Sequence, residues 1–303
     1  MKSVFRYLTL LFLFVSVSFF IFSTSTATRT AAYSDFERTY LIAGFDDSSW
    51  HTDVMALVNY KSRSNQVSIF QIPRDTFFNF GKSQNKINQL TATAIFEGES
   101  PKDAMNDLKD SVQSNLGIVI DGFVAVTTDA FANIIETVGG VNVKSEKNTI
   151  FYGRNGQIVL SIKEGENHLT PEQALNFVRY RSGYLRGDLD RLEAQKLFFD
   201  GFFRTVLQKS NPIALLGTLL KTQGLFTDIA FSDILSFAPF INNVRDAGLV
   251  SFTLPGEAIK SQSGVWYYAL DRKANIELLS KYFSVSEKNF DTKRKFDIPT
   301  NFI

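Results

Sequence analysis

Four arginines and their polar neighbours lie within one short stretch of this sequence. The stretch contains Arg179, Arg181, Arg186, Asp188, Arg191 and Gln195. A guanidinium group stays charged at physiological pH, and its N–H donors match phosphate oxygens bidentately. Clustered arginines are therefore typical of an anion-binding site, and the segment predicts a ligand that carries phosphate.

The net charge of the chain narrows the class of phosphate ligand. The sequence has 32 basic and 31 acidic residues, which gives a formal net charge of +1. Nucleic-acid-binding proteins usually present a broad basic surface that neutralises many phosphates. The balanced charge therefore predicts no nucleic-acid partner and favours a single phosphorylated ligand.

Cysteine and histidine are too scarce for several kinds of site. The chain has no cysteine, which excludes disulfides, thiol catalysis and cysteine-based metal sites. Its two histidines are His51 and His168, too few for a histidine-rich metal site. We interpret His168 as a structural residue.

The amino terminus predicts a membrane anchor with a short stalk over residues 1–32. Lys2 and Arg6 precede an uncharged stretch over residues 7–28. The apolar run over residues 4–22 approaches the length of about 20 residues that a membrane-spanning helix needs. Basic residues on the leading side place that side in the cytoplasm and the remainder outside. A cleaved signal peptide is the alternative, and it also exports the domain.

The remainder, residues 33–303, is predicted to be one extracytoplasmic domain, since no linker, charge block or repeat divides it. Hydrophobic residues make up 44% of the chain and phenylalanine occurs 30 times, which is enough for a substantial core. We predict a core that ends near residue 210, an accessory part over 211–287 and a polar tail over 288–303.

Apolar runs that alternate with helical patterns predict the elements that position the arginines. Strands are predicted over residues 40–44, 54–60, 67–72, 121–127 and 141–143, and helices over 101–116, 131–138, 189–208, 213–220 and 233–242. Ser100 is predicted to cap the first helix, and Gly139 to end the second. This alternation predicts an α/β fold in which a mixed sheet is sandwiched by helices.

The arginine segment has its own helix-start signal. Thr170 is a credible N-cap, Pro171 suits the first helical position, and Gln173 completes a capping box. Arg179 then falls at the end of this helix. Arg191 and Gln195 are four residues apart and share one face of the following helix, whose amino end adds partial positive charge.

Several motifs, in order, resemble the LytR-CpsA-Psr family over about residues 40–208. They are Ile72-Pro73-Arg74-Asp75, Lys86-Ile87-Asn88, Val138-Gly139-Gly140-Val141, Leu169-Thr170-Pro171-Glu172-Gln173-Ala174-Leu175 and Val178-Arg179-Tyr180-Arg181, followed by Asp188, Arg191 and Gln195. No single motif is specific, and the resemblance rests on their combined order and spacing.

The resemblance implies a phosphotransferase that moves a glycopolymer, such as teichoic acid or capsular polysaccharide, from a polyprenyl-pyrophosphate carrier to peptidoglycan. It implies a phosphodiester product, Mg²⁺ or a similar divalent cation as cofactor, and a cell-membrane location with the catalytic domain outside. A tethered enzyme would meet its membrane-embedded donor at high effective concentration.

The resemblance also implies roles for individual residues. The predicted pyrophosphate-binding residues are Arg74, Lys86, Arg179, Arg181, Asp188, Arg191 and Gln195, the metal ligands Asp46 and Asp53, and the catalytic residues Asp53, Arg74 and Asp75. Two carboxylates and phosphate oxygens form the oxygen-rich shell that Mg²⁺ prefers. The residues leave open which carboxylate takes the proton from the attacking hydroxyl.

One position departs from the family pattern. His51 stands where the family typically has an arginine that reaches the pyrophosphate. Histidine is shorter and is neutral over part of the physiological pH range, so this phosphate contact is expected to be weaker.

Three functions remain open at this point. They are the glycopolymer phosphotransferase, a pyrophosphatase on polyprenyl-pyrophosphate lipids, and a noncatalytic lipid-phosphate-binding regulator.

For each charged residue, a surface ion pair or a turn is the simpler interpretation. Aromatics within residues 123–131 and 198–206 are candidates for a lipid slot as well as for the core.

Overall fold

A six-stranded mixed sheet is the framework of the fold. The computed structural model of the chain describes residues 36–46, 48–80, 83–152, 155–179, 188–236 and 248–284. The strands are β1 Glu37–Phe45, β2 Thr52–Lys61, β3 Gln66–Gln71, β4 Phe77–Phe80, β5 Ser83–Lys86, β6 Gly122–Val126, β7 Val141–Ser145, β8 Thr149–Tyr152, β9 Ile158–Ile162, β10 Gly165–Leu169, β11 Leu225–Thr227, β12 Gly248–Thr253, β13 Gly256–Lys260 and β14 Trp266–Leu270. The helices are α1 Gln89–Phe96, α2 Pro101–Leu116, α3 Thr128–Val138, α4 Pro171–Arg179, α5 Asp188–Leu207, α6 Pro212–Leu219, α7 Phe231–Ser236 and α8 Arg272–Tyr282.

The large sheet has the strand order β11-β6-β1-β2-β3-β12. β1 pairs antiparallel with β2 and β2 antiparallel with β3, whereas β6 lies parallel to β1 and β12 lies parallel to β3. The predicted mixed sheet is therefore confirmed. The pairs β4–β5, β7–β10, β8–β9 and β13–β14 form small antiparallel sheets beside it.

Both faces of the central strands are buried, which explains their nearly continuous apolar sequence. Leu57 and Phe70 join a cluster that includes Leu108 of α2. The next residue on β2, Val58, belongs to a second cluster that includes Phe199 of α5. Because successive side chains of a strand point to opposite faces, helices cover the sheet on both sides. The predicted sandwich of sheet and helices is confirmed.

Local signals fix the helix ends that were predicted. The Ser100 hydroxyl accepts a hydrogen bond from the Asp103 N–H at the start of α2. Gly139 ends α3 in the left-handed region at φ 80°, which glycine adopts without steric cost. At α4, the Thr170 N–H donates to the Gln173 side chain, and the Gln173 N–H donates back to the Thr170 hydroxyl. The predicted capping box is thus confirmed.

Other parts of the fold were not predicted. The strands β4, β5, β8, β9 and β10 and the helix α1 are short, and their patterns do not separate them from loops. The helix predicted over residues 233–242 is observed over Phe231–Ser236, and residues 237–247 lie outside the described part. The predicted anchor and polar tail also lie outside it. Within the described residues, we find no helix that combines the length and apolar character needed to cross a membrane.

The aromatics considered for a lipid slot pack as core residues. Phe123 is fully buried, and Phe198 is 5% exposed. The Phe198 ring stacks on Phe202 and also contacts Phe131 at a centroid distance of 5.2 Å. This packing accounts for their burial without a ligand, and a lipid-binding role for them stays a prediction.

Candidate active site

A charged pocket of about 290 Å³ lies where β1 ends and β2 begins. Its lining residues are Asp46, Ser49, His51, Asp53, Arg74, Asp75, Lys86, Asn88 and Gln89. Five separate segments supply them: the β1–β2 connection, the start of β2, the turn after β3, the end of β5 and the start of α1. Residues that were predicted from distant motifs are thus brought together in one concave site.

Alternating charges connect the side chains across the pocket. Arg74 Nη1 lies 2.5 Å from Asp53 Oδ1, and Arg74 Nε lies 3.7 Å from Asp75 Oδ2. Lys86 Nζ then lies 2.8 Å from Asp75 Oδ1. These four side chains are 20–29% exposed, so the pairs are partly shielded from water yet open to a ligand. Such a chain holds the cationic groups in fixed positions before an anion arrives.

Arg179 reaches the same site from the end of α4. Its Nη2 lies 3.7 Å from Asp46 Oδ2, and its Nη1 donates to the Thr128 hydroxyl at 3.2 Å. The side chain is 39% exposed, which makes it the most accessible cation among those described at the site. One arginine of the predicted cluster therefore meets the pocket, next to a predicted metal ligand.

Gln195 and Arg191 are buried residues of α5. Each is 2% exposed. The Gln195 amide nitrogen donates to the Val178 carbonyl at 3.0 Å, which ties α5 to the residue that precedes Arg179. This contact gives Gln195 a positioning role, and its predicted contact with phosphate stays a prediction. Arg181 and the side chain of Asp188 lie outside the described part of the chain.

The β1–β2 connection holds Trp50 in an uncommon backbone conformation. Its φ is 57°, in the left-handed region that costs bulky residues about 1 kcal/mol or more. The Trp50 N–H donates to the Asp46 carbonyl, and the Trp50 carbonyl accepts from the Thr91 hydroxyl, both at 2.8 Å. The ring packs against Phe45 and Phe226. These contacts fix the loop that carries Asp46 and His51.

Ser48 stabilises the charged form of the Asp46 carboxylate. Its hydroxyl donates to Asp46 Oδ1 at 2.6 Å and its backbone N–H donates to the same oxygen at 2.9 Å. These two hydrogen bonds, followed by the charge of Arg179, lower the pKa of Asp46 below its ordinary value. Asp46 is therefore negative throughout the physiological pH range.

Ser48→Ala is expected to raise the Asp46 pKa toward its ordinary value, because the strongest hydrogen bond to the charged form is lost. A carboxyl group whose pKa is lowered on folding stabilises the folded state above its unfolded pKa, and this contribution is lost as pH falls through the folded pKa. As pH falls, the Ser48→Ala variant should therefore lose this contribution to folding stability at a higher pH than the wild type does. Carbon-detected NMR titration of the Asp46 carboxyl measures the shift.

The control for this titration is Ser100→Ala, since Ser100 also donates to a carboxylate, that of Asp103, but outside the pocket. It should leave the Asp46 titration unchanged. An Asp46 pKa that is equal in Ser48→Ala and the wild type would show that Ser48 does not stabilise this carboxylate.

The hairpin β13–β14 reaches the pocket from the carboxyl-terminal part of the chain. The Tyr268 N–H donates to the Asp75 carbonyl at 2.8 Å. The Tyr267 ring centroid lies 5.7 Å from Lys86 Nζ, and this ring also contacts Phe77. Burial raises the pKa of Tyr268 to about 12, so its phenol stays neutral. No active-site group was predicted in this segment, because its motifs contain no obvious catalytic group and it lies far along the chain from the other site residues.

Tyr267→Leu should weaken the affinity for inorganic pyrophosphate by about threefold to fivefold, the effect expected from losing one partly exposed cation–π contact. Leucine keeps apolar packing on Phe77 but removes the aromatic face that positions Lys86. Isothermal titration calorimetry measures the affinity. Tyr152→Leu is the control, because Tyr152 is an exposed tyrosine on β8 that does not line the pocket. Equal affinities for Tyr267→Leu and the wild type would contradict this role.

The pocket offers a limited set of metal ligands. Among the residues that the structure describes, no cluster of three or more histidine, cysteine, aspartate or glutamate side chains is arranged to hold a metal ion. Asp46 and Asp53 nevertheless line the same pocket, and carboxylate oxygens are the ligands that Mg²⁺ prefers. This donor pair fits a cation that completes its shell with phosphate oxygens and water.

Comparisons with known proteins agree on one family. The model of the LytR_cpsA_psr family matches residues 24–283. A Bacillus cereus protein named polyisoprenyl-teichoic acid–peptidoglycan teichoic acid transferase TagU is 27% identical over 253 residues, which are 80% of this chain and 76% of the relative. The crystal structure of Bacillus subtilis TagV superposes with a TM-score of 0.65 at 20% identity, covering 85% of this chain and 98% of that one. A structure described as TagT bound to LIIa-WTA gives a TM-score of 0.65 at 19% identity, covering 83% and 92%. At these identities, the structural matches establish the shared fold.

Proposed function

The chain belongs to the LytR-CpsA-Psr family, and from this premise we propose that it is a glycopolymer phosphotransferase. Its donor is a glycopolymer or sugar phosphate on a polyprenyl-pyrophosphate carrier, and its acceptor is peptidoglycan. The observation that carries the proposal is the pocket in which Asp53, Arg74, Asp75 and Lys86 form one chain of alternating charges. The transferase name of the TagU relative supports the same reaction class.

The arrangement of cations suits a pyrophosphate group. Arg74 and Lys86 line the pocket and both pair with Asp75, whereas Arg179 pairs with Asp46, which also lines it. A pyrophosphate spreads negative charge over several oxygens, so three cations on separate elements can contact different oxygens at once. Their carboxylate partners hold them in place in the absence of ligand. His51 also lines the pocket. It stands where the family typically has an arginine, which would be a fourth permanently charged group.

The proposed reaction is an in-line displacement at the phosphorus that bears the glycan. A sugar hydroxyl of peptidoglycan forms the new P–O bond to this phosphorus. The bond from this phosphorus to the bridging oxygen of the pyrophosphate breaks, and the carrier leaves as polyprenyl phosphate. Asp53 or Asp75 takes the hydroxyl proton. Arg74 contacts both of these carboxylates, so it orients the base while it stabilises charge on the phosphate oxygens.

Mg²⁺ is the proposed cofactor, held by Asp46 and Asp53. When bound, it neutralises charge on the phosphate oxygens. Arg74, Lys86 and Arg179 would bind and orient the donor, and the hydrogen bond from the Ser48 hydroxyl would hold the Asp46 carboxylate in position.

The proposed location is the outer face of the cell membrane. An anchor over residues 1–32 would hold the catalytic domain next to its lipid-linked donor, with the amino terminus in the cytoplasm. Expression with a cleavable reporter on each terminus, followed by protease treatment of intact cells, tests this orientation. We expect only the carboxyl-terminal reporter to be removed.

Product analysis tests the proposed reaction. The full chain in detergent is incubated with a lipid-linked pyrophosphoryl sugar, Mg²⁺ and soluble peptidoglycan fragments, and the products are identified by mass spectrometry. A fragment that gains the sugar and one phosphate is the expected result. Free sugar phosphate would indicate a pyrophosphatase, and an unchanged donor that still binds would indicate a noncatalytic regulator.

A further inference from the structure

A second, larger cavity adjoins the charged pocket. It has a volume of about 750 Å³ and lies between the β1–β2 connection and α1. Its lining residues are Ser48, Ser49, Trp50, His51, Gln89, Ala92, Thr93, Ile95 and Phe96. Ser49, His51 and Gln89 line both cavities, so the two adjoin each other. We call the second cavity the α1 groove.

The lining of the α1 groove differs chemically from that of the charged pocket. Among its described lining residues, His51 is the only one with a side chain that can carry positive charge, and none is acidic. Hydroxyl and amide groups lie within a larger apolar surface, and Phe96, at the end of α1, is 93% exposed. Neutral donors and acceptors beside an aromatic face suit an uncharged, hydroxyl-rich ligand such as a sugar ring.

The walls of the α1 groove are held at a fixed separation. The Thr91 hydroxyl of α1 donates to the Trp50 carbonyl at 2.8 Å, and the Thr52 N–H donates to the Asn88 carbonyl at 3.2 Å. Thr91 and Thr52 are fully buried. These bonds tie α1 to the loop that also carries Asp46. They hold the elements that line both cavities against each other, as a two-substrate site requires.

We propose that the α1 groove binds the glycan strand of the peptidoglycan acceptor and directs one of its hydroxyls into the charged pocket. This inference rests on the proposed function. In-line displacement needs the acceptor hydroxyl on the side of phosphorus opposite the leaving group, so the acceptor needs its own channel to the phosphate site. The α1 groove adjoins that site, shares Ser49, His51 and Gln89 with it, and carries hydroxyl, amide and aromatic groups that suit a carbohydrate.

The first test measures binding without any donor. The ligand is a soluble glycan of alternating N-acetylglucosamine and N-acetylmuramic acid whose lactyl carboxyl groups are amidated and therefore uncharged, and its affinity for the full chain is measured by isothermal titration calorimetry. Phe96→Ala should weaken the affinity at least about fivefold, the cost expected for truncating an aromatic contact at the centre of an interface. The variant should fold normally, because the side chain is almost fully exposed. Tyr152→Ala, an exposed aromatic outside both cavities, should bind as the wild type does.

A second measurement locates the glycan. Trp50 and Trp266 are the two tryptophans of the chain, and Trp266 lies exposed on β14. In the Trp266→Phe variant, Trp50 is the only source of tryptophan fluorescence. Saturating glycan should shift the wavelength of its emission maximum. Absence of glycan binding to the wild type, or equal affinity in Phe96→Ala, would overturn the proposal. So would a Phe96→Ala variant that loses affinity for the lipid-linked donor instead.

The two proposals can fail separately. In the transfer assay, Phe96→Ala should raise KM for the glycan acceptor at least about fivefold and leave KM for the donor unchanged. If glycan binding depends on Phe96 but no transfer occurs, the glycan site stands and the transferase function is wrong. If transfer occurs and Phe96→Ala leaves both KM values unchanged, the transferase function stands and the groove assignment is wrong.

Discussion

Asp53→Asn is expected to reduce kcat for glycopolymer transfer at least about 100-fold, the scale seen when one preorganised electrostatic contact is removed from an active site. Asparagine has nearly the same size but no charge. Arg74 then loses the carboxylate that lies 2.5 Å from its Nη1. The same change removes one of the two proposed Mg²⁺ ligands and a candidate proton acceptor. Three contributions to the reaction thus depend on one carboxylate.

The measurement is the steady-state rate of phosphodiester formation, together with the melting temperature. Asp121→Asn is the matched control, because Asp121 is also a partly exposed aspartate paired with an arginine, Arg38, but lies outside the pocket. Its transfer rate should equal that of the wild type. An Asp53→Asn enzyme that is folded and retains more than about a tenth of the wild-type kcat would contradict the assigned role.

Arg74→Lys is expected to have the second largest effect, again on the order of a 100-fold loss of kcat. Lysine keeps the positive charge but offers a compact ammonium instead of a planar fork. It cannot contact Asp53 and Asp75 with separate nitrogens as Arg74 does. The substitution therefore separates the need for charge from the need for guanidinium geometry.

Two further variants sharpen this test. Arg74→Ala should recover part of its activity when guanidinium ion is added, whereas Arg204→Lys, at an exposed helical ion pair, should behave as the wild type does.

Because Asp53 and Arg74 act as one unit, the double variant that combines Asp53→Asn with Arg74→Lys should lose much less kcat than the product of the two single losses. Full activity in Arg74→Lys would show that a point charge is sufficient.

The sequence was most informative where one local rule decides the structure. Ser100 and Gly139 mark helix ends through their own hydrogen-bonding and backbone properties, so no distant contact is needed to predict them. The central strands were also predictable, because burial on both faces requires apolar residues throughout. Helix α1 was missed because its sequence, QLTATAIF, contains two β-branched threonines and an isoleucine and no charged residue.

The environment of the site depends on contacts that sequence does not encode locally. Tyr267 meets Lys86 only because β14 lies beside the turn that follows β3. The left-handed conformation of Trp50 is imposed by Asp46, Thr91 and two aromatic rings, and tryptophan gives no signal for it.

The residue spacing on α5 indicated which face of this helix is buried, as Gln195 and Arg191 show. The prediction that they share a face of α5 agrees with their common burial. They also fall on the same stripe as Phe198 and Phe199, three or four residues further along, and these phenylalanines are buried. That spacing was a signal that the face points inward, toward α4.

The most direct test of the central claim is a crystal structure of the chain with polyprenyl pyrophosphate and Mg²⁺. We expect both phosphates in the charged pocket, within hydrogen-bonding distance of Arg74 and Arg179, and the cation bound by Asp46, Asp53 and phosphate oxygens. Phosphates bound at any other surface, with the Arg74–Asp53 pair untouched, would contradict it.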